Sequence, residues 1–144
     1  MAKGVFTSKI EPIYDDLREE RYHFPNQYLN RVREMLNDFI IYYEPRRNDG
    51  RQAYIATARV ASIEPDRNKG GHYYAYMTDY IDFTNPVSFR IGDEYLEYDL
   101  VKSDGTTNRG RFRHSVRLIP EHEYNLIIQY GFQDSIRELL LAEQ

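Results

Sequence analysis

From Gln52 to Ile63 the chain reads QAYIATARVASI. This stretch is long and rich in small and β-branched residues, a composition that favours an extended strand. Such a strand commonly crosses a barrel or a strongly curved sheet, where bulky side chains would not fit. We therefore predict a curved sheet or small barrel that contains this strand.

Further strands are predicted on both sides of this stretch. Residues 38–44, DFIIYYE, form a compact β-rich run that ends at Pro45. After a polar loop at 65–71, residues 72–83 resume as a strand whose two faces are both partly apolar, so we expect both faces to be covered. Shorter strands are predicted near the N-terminus and at 87–90 and 95–101.

Two helices are predicted to flank the sheet. The first begins near Pro25, because apolar residues recur at helical spacing over 28–36. The second begins at Pro120, carries two glutamates in its first turn and stops at Gly131. The apolar segment after residue 133 would be a docking helix or a linker. The order of these predicted strands and helices indicates an α+β fold, a small curved barrel with flanking helices.

Length and composition limit the class of protein. At 144 residues, 41% hydrophobic and 29% charged, the chain fits one globular domain. No apolar run is long enough to span a membrane, and the N-terminus lacks the apolar core of a secretion signal. With no cysteine there is no disulfide or thiolate metal site. We expect a soluble, cytoplasmic protein that needs no cofactor.

The charge distribution favours a local contact with nucleic acid over a global one. The formal net charge of -4 and the pI near 5.6 argue against a protein held to nucleic acid by its overall charge. Between Lys102 and Arg117, however, five basic residues accompany one acid. Arg109, Arg111 and Arg113 alternate, and they would lie on one side if residues 108–114 were extended. The alternative is an ordinary solvated surface.

Three segments carry a resemblance to a known superfamily. They are IYDD at 13–16 with YHFP at 22–25, YYEPRR at 42–47 with the strand after it, and YIDF at 80–83 with PVSF at 86–89 and SVRLIP at 115–120. On these residues the chain resembles the PUA-like superfamily, which includes the EVE, ASCH, YTH and SRA groups. The likeness is strongest to the N-terminal domains of bacterial HNH-type, modification-dependent restriction endonucleases.

The resemblance implies a PUA-like curved β-barrel of about five to six strands whose concave side takes a base flipped out of double-stranded DNA. The base would be modified, such as 5-methylcytosine or another 5-substituted cytosine. Residues 1–132 would form this domain, and 133–144 a helix or linker toward a separate HNH nuclease domain, through which the protein would dimerise. The four histidines of the chain lack metal-ligand spacing, so we expect no catalytic residue and no metal here.

A base-reading domain needs an aromatic pocket, because flipping costs a few kcal/mol and stacking on one ring is worth about 1–3 kcal/mol. The pocket candidates come from a predicted loop at 22–24, the strand end at 42–43 and a carboxylate that would accept an exocyclic amine: Tyr22, His23, Phe24, Tyr42, Tyr43 and Asp82. Otherwise the aromatic residues fill the core and Asp82 caps a turn. The candidates for contacts with the DNA backbone are arginines: Arg46, Arg47, Arg51, Arg109, Arg111 and Arg113.

Three other functions stay open at this stage. A module of the ASCH or PUA kind would bind RNA, single strands or free nucleotides without a nuclease partner. A protein-interaction domain would have no role with nucleic acid. The full protein would be an enzyme if an HNH domain follows Gln144.

Overall fold

The structure is a computed structural model that describes residues 2–8, 14, 16–45, 52–133 and 141–142. Its strands are β1 (Lys3–Thr7), β2 (Arg21–Pro25), β3 (Phe39–Glu44), β4 (Ala53–Pro65), β5 (His72–Ser88), β6 (Arg90–Ile91), β7 (Glu94–Tyr95) and β8 (Val116–Ile119). Its α-helices are α1 (Leu29–Glu34), α2 (Arg109–Phe112) and α3 (Glu121–Gly131), and 3-10 turns lie at Asn26–Tyr28 and Tyr98–Leu100.

Six strands form one mixed sheet in the order β2-β5-β4-β3-β1-β8, and β6 and β7 form a separate hairpin. Only the β1–β3 pair of this sheet is parallel. The sheet curls until its ends approach each other: the hydroxyl of Tyr22 in β2 donates to the carbonyl of Thr7 in β1 at 2.8 Å. Arg31 in α1 donates to the carbonyl of Val116 in β8 at 3.0 Å. The predicted α+β fold, a curved sheet with flanking helices, is confirmed.

Both faces of the sheet are packed because successive side chains of a strand point to opposite faces. In β3, Ile40 and Tyr42 belong to one buried cluster, whereas Ile41 and Tyr43 belong to the other. The first cluster lies against β2 and α1, and the second lies against α3. The small residues of β4 that decided the prediction are buried, with Ala56 and Ala58 both fully covered.

The long strand β5 changes face at a bulge. Asp79 has a positive φ of 56°, and the pairing with β4 shifts there, so that Thr57 and Arg59 pair with Ile81 and Thr78. An extra residue in one strand reverses the faces of the residues that follow it. The separate strands predicted at 72–83 and 87–90 are one strand that runs to Ser88.

Two local predictions are wrong. The expected loop at 22–24 is the middle of β2, where all three side chains are buried. The expected strand at 95–101 is replaced by the end of β7 and the 3-10 turn Tyr98–Leu100. Among the helices that the structure describes, none is long and apolar enough to cross a bilayer.

Candidate functional site

A cleft of about 860 Å³ opens between the ends of β1 and β3, the turn before α1 and the segment around α2. This volume lies within the range of about 300–1,000 Å³ that is usual for small-molecule and cofactor sites. Aromatic residues from five parts of the chain line it: Tyr14, Tyr28, Tyr43, Phe89 and Phe112. The cleft therefore offers several ring faces to a planar ligand.

The charged residues of the cleft are cationic. Lys102, Arg109 and Arg113 line it and are exposed, and no aspartate or glutamate is among its described lining residues. Three cations without a described carboxylate in the lining create a positive potential at the rim, which attracts phosphate oxygens. Asp104, outside the lining, is close enough to Lys102 for their charges to interact. The local charge is therefore opposite in sign to the net charge of the whole chain, which is -4.

The α2 side of the cleft is a short capped helix. The side chain of Asn108 accepts from the backbone N–H of Arg111 at 3.1 Å, which satisfies one of the free donors at the helix start. The N–H of Asn108 donates to the carbonyl of Leu100 at 2.7 Å. These bonds connect α2 to the preceding 3-10 turn and fix where Arg109 and Arg113 emerge.

A buried ion pair supports the far end of α2. The guanidinium of Arg117 donates to both carboxylate oxygens of Glu97, at 2.8 Å and 2.7 Å, and both side chains are fully buried. The same guanidinium donates to the carbonyl of His114 at 3.0 Å and lies 5.3 Å from the ring centroid of Phe112. The pair thus fixes the turn that carries Phe112 and Arg113 into the cleft.

A second contact holds this turn from α1. Arg31 donates to Nδ1 of His114 at 3.0 Å, which places the imidazole proton on Nε2. Burial and the charge of Arg31 lower the pKa of His114, so the ring is neutral at pH 7. Tyr28 accepts from the N–H of Ser115 at 3.2 Å, so its ring is also fixed at the cleft.

Tyr43 lies at the back of the cleft and is only 1% exposed. Its ring meets the rings of Tyr54 and Phe112 edge to face, each with centroids 5.4 Å apart, and Arg117 lies 5.6 Å from its centroid. Its hydroxyl has no hydrogen-bond partner among the described residues. Burial raises the pKa of Tyr43, so this phenol stays protonated.

Of the predicted pocket residues, only Tyr43 lines the cleft. Tyr22, Phe24 and Tyr42 are at most 1% exposed and lie in the first buried cluster, where Tyr22 stacks on Phe6 at 4.4 Å between centroids. They fill the core because their positions in β2 and β3 face the concave interior under α1.

His23 and Asp82 lie away from the cleft lining as well. Nε2 of His23 is 3.0 Å from a carboxylate oxygen of Asp66, and its ring stacks on Tyr74 with centroids 4.6 Å apart. Burial lowers the pKa of His23, although Asp66 opposes this shift. Asp82 is exposed and accepts from the hydroxyl of Tyr80 at 2.8 Å. Burial, together with this hydrogen bond and the charge of Asp82, raises the pKa of Tyr80 to about 12.

The predicted arginine row is broken by helix formation. Residues 109–112 are helical, so the three side chains do not share one side as they would on a strand. Arg109 and Arg113 line the cleft, whereas Arg111 donates to the carbonyl of Leu118 at 2.9 Å and lies 3.6 Å from Asp99. The remaining candidates, Arg46, Arg47 and Arg51, lie outside the described residues.

Sequence reasoning missed most of the cleft's aromatic residues. Tyr28 was assigned to a helix face, and Phe89 and Phe112 carried no signal of a shared site, because they come together only through the tertiary fold. Asn108 before a basic run is a recognisable helix-cap signal that would have predicted α2. Among the described residues, no three His, Asp or Glu side chains group as metal ligands would.

Comparison with known proteins supports the fold. No family model matches the chain, and no curated protein matches it. It is similar to the crystal structure of protein Atu2648 from Agrobacterium tumefaciens, at 16% identity and a TM-score of 0.58, over 91% of this chain and 93% of that one. It is also similar to the NMR structure of Rpa0253 from Rhodopseudomonas palustris, at 14% identity and a TM-score of 0.59, with the same coverage. At these identities the likeness concerns the fold alone.

Proposed function

We propose that this domain binds double-stranded DNA and takes a modified base, flipped out of the duplex, into the cleft. The observation that carries the proposal is the composition of the cleft, which combines five aromatic residues with three cations and has no described acidic lining residue. The site differs from the one expected from the sequence, but its chemistry is the one that a base reader needs.

The aromatic residues would offset the cost of flipping. Extruding a base costs a few kcal/mol, and stacking on one ring is worth about 1–3 kcal/mol, so one or two of the five rings suffice. Phe89 and Phe112, which are half-buried and meet edge to face with centroids 5.2 Å apart, each present part of a ring to the cleft. A planar base entering beside them gains contact area without unfolding the sheet.

The cations at the rim would hold the phosphates that flank the flipped nucleotide. Lys102, Arg109 and Arg113 are exposed and therefore available to a DNA backbone. Pro45 and Gln52, which also line the cleft, flank the segment that contains Arg46, Arg47 and Arg51.

On this proposal the domain is a targeting module that acts in the cytoplasm and has no catalytic residue of its own. The resemblance to the N-terminal domains of HNH-type restriction endonucleases supports 5-substituted cytosine as the base and a nuclease domain, with its dimer contact, as the partner. The base would enter at the ends of β1 and β3 rather than on the concave side of the sheet, where Tyr22, Phe24 and Tyr42 fill the interior.

Binding to one short duplex carrying a different base in each trial tests the proposal. The bases are cytosine, 5-methylcytosine, 5-hydroxymethylcytosine, glucosylated hydroxymethylcytosine and 6-methyladenine, at fixed salt. We expect a preference of about tenfold or more for a modified cytosine, equivalent to about 1.4 kcal/mol. Equal, weak and salt-sensitive binding to all five duplexes would reject base reading, and tighter binding to single-stranded RNA would favour an RNA-binding module.

A matched pair of charge variants locates the DNA contact. The double variant R109A/R113A removes two cations from the cleft, and R33A/R67A removes two exposed arginines outside it. Each phosphate contact contributes about 0.9 to the slope of log affinity against log salt. We expect the cleft variant to reduce the magnitude of that negative slope by about 2, so that its binding depends less on salt. The control variant should leave the slope unchanged.

A further inference from the structure

Tyr43 combines a place in the cleft lining with a buried hydroxyl that has no partner among the described residues. The residue lines the cleft, is 1% exposed and has no hydrogen-bond partner for its hydroxyl among the described residues. A buried polar group without a partner destabilises the folded state, so almost all such groups are satisfied by protein, water or ligand. The neighbouring Tyr54, equally buried, follows that rule and donates to Glu97 at 2.7 Å.

The surroundings of Tyr43 decide which kind of ligand atom would satisfy it. The phenol is protonated, because burial raises its pKa. The positive charges of the cleft belong to Lys102, Arg109 and Arg113, and no described lining residue carries a negative charge. A positive environment attracts the electronegative edge of a ligand, so the O–H group would donate to an oxygen rather than accept from an amine.

We propose that Tyr43 selects the bound base by donating a hydrogen bond from its hydroxyl to an exocyclic carbonyl oxygen of the base. Cytosine, thymine, uracil and guanine carry such an oxygen, whereas adenine and 6-methyladenine do not. The cleft is therefore specific for oxo-bearing bases, modified cytosines among them. This inference rests on the proposed function, because it assigns the base class to the same cleft.

Access to the hydroxyl requires a small movement. The oxygen is covered in the empty cleft, since less than 1 Å² of it is exposed. Phe112 is the neighbour that would move, because its ring contacts Tyr43 edge to face, is itself half-buried and lies in the four-residue helix α2. Rotation of this ring on binding would uncover the hydroxyl and place a second aromatic face against the base.

The variant Tyr43→Phe tests the inference with two duplexes that differ only in carrying 5-methylcytosine or 6-methyladenine. Removing an unpartnered oxygen leaves the packing intact, so thermal unfolding should occur at or above the wild-type temperature. The control is Tyr98→Phe, which removes a hydroxyl from a residue that is 55% exposed and outside the cleft lining.

We expect the wild type and Tyr98→Phe to prefer 5-methylcytosine by about tenfold or more, and Tyr43→Phe to lose about tenfold in affinity for that duplex only. Unchanged affinity of Tyr43→Phe for 5-methylcytosine, or a wild-type preference for 6-methyladenine, would overturn the inference and leave the base-reading proposal standing. Failure of the wild type to bind either duplex would overturn both.

Discussion

The rings of Tyr43 and Tyr54 meet edge to face with centroids 5.4 Å apart, and only one of their two hydroxyls has a described partner. Tyr54 donates to the carboxylate of Glu97, whereas Tyr43, its neighbour across β3 and β4, lines the cleft. Two tyrosines of nearly equal burial thus have opposite roles. The hydroxyl of Tyr54 completes a buried network that supports the fold, whereas the hydroxyl of Tyr43 is buried beside the cleft without a described partner.

The two hydroxyls should differ in their contribution to stability. Tyr54→Phe should lower the free energy of unfolding by about 1–2 kcal/mol, because it removes a buried hydrogen bond to a charged group. Tyr43→Phe should change it by less than about 0.5 kcal/mol or raise it slightly. Urea unfolding of the two variants measures this difference. If Tyr43→Phe lowers the free energy of unfolding by 1 kcal/mol or more, the hydroxyl of Tyr43 has a partner in the folded protein.

The Arg117–Glu97 pair should be the most sensitive point near the cleft. Arg117→Met leaves Glu97 buried without its counter-charge, which should cost about 3–5 kcal/mol in unfolding free energy. The double variant Arg117→Met/Glu97→Gln should recover part of this loss, because neither charge then remains alone. A double-mutant cycle in denaturant measures the coupling. Additive effects of the two single substitutions would show that the pair contributes no coupling energy.

Glu123 at the start of α3 should make stability depend on pH. Burial raises its pKa from 4.5 to about 7, so between these values the folded protein binds more protons than the unfolded chain. The free energy of unfolding contributed by this group therefore falls as pH rises from 4.5 to 7. Glu123→Gln, which carries no charge, should be more stable than the wild type by the order of 1 kcal/mol near pH 8, and the difference should disappear near pH 4.5.

Comparing the wild type with Glu123→Gln isolates the contribution of Glu123 to the pH dependence of stability from those of His23 and His114, because both proteins contain these two histidines. Thermal unfolding of each protein across this pH range provides the measurement. A stability difference that is the same at pH 5 and pH 8 would contradict a raised pKa for Glu123.

Gly131 should not tolerate a side chain, for a reason of packing. A Cβ atom there would lie 2.6 Å from the ring of Phe83, so Gly131→Ala should cost about 1–3 kcal/mol. The matched control is Gly110→Ala in α2, where a Cβ would meet only the side chain of Asn108 at 3.6 Å. That substitution should be neutral or stabilise by up to about 1 kcal/mol. Equal effects of the two substitutions on chemical unfolding would contradict this packing argument.

The fold was predictable where the local pattern and the tertiary environment agree. The small residues of Gln52–Ile63 predicted a strand in a curved sheet, and β4 is the strand at that place. The segment from Pro120 to Gly131 predicted α3 closely, because its cap region, its apolar spacing and its terminal glycine all favour one helix. Local signals of this kind do not depend on which strands become neighbours.

The site was less predictable, because the face of the sheet to which each side chain of a strand points depends on how that strand is placed in the sheet. Adjacent residues of a strand face opposite sides, so Tyr42 lies in the first buried cluster and Tyr43 in the second, where it also lines the cleft, although the two residues are identical in type. The segment at 22–24 was taken for a loop because a strand covered on both faces shows no alternation of polar and apolar residues. The arginines after Asn108 alternate in sequence, but the cap at Asn108 starts a helix there.

NMR spectroscopy of the labelled domain can show whether a base of duplex DNA enters the cleft. A short duplex carrying one 5-methylcytosine is added, and the signals that shift are mapped onto the structure. We expect the largest changes at the cleft, above all at Tyr43 and Phe112, and smaller changes with the unmodified duplex. Changes confined to surfaces outside the cleft, or identical changes with both duplexes, would rule out entry of the modified base into the cleft.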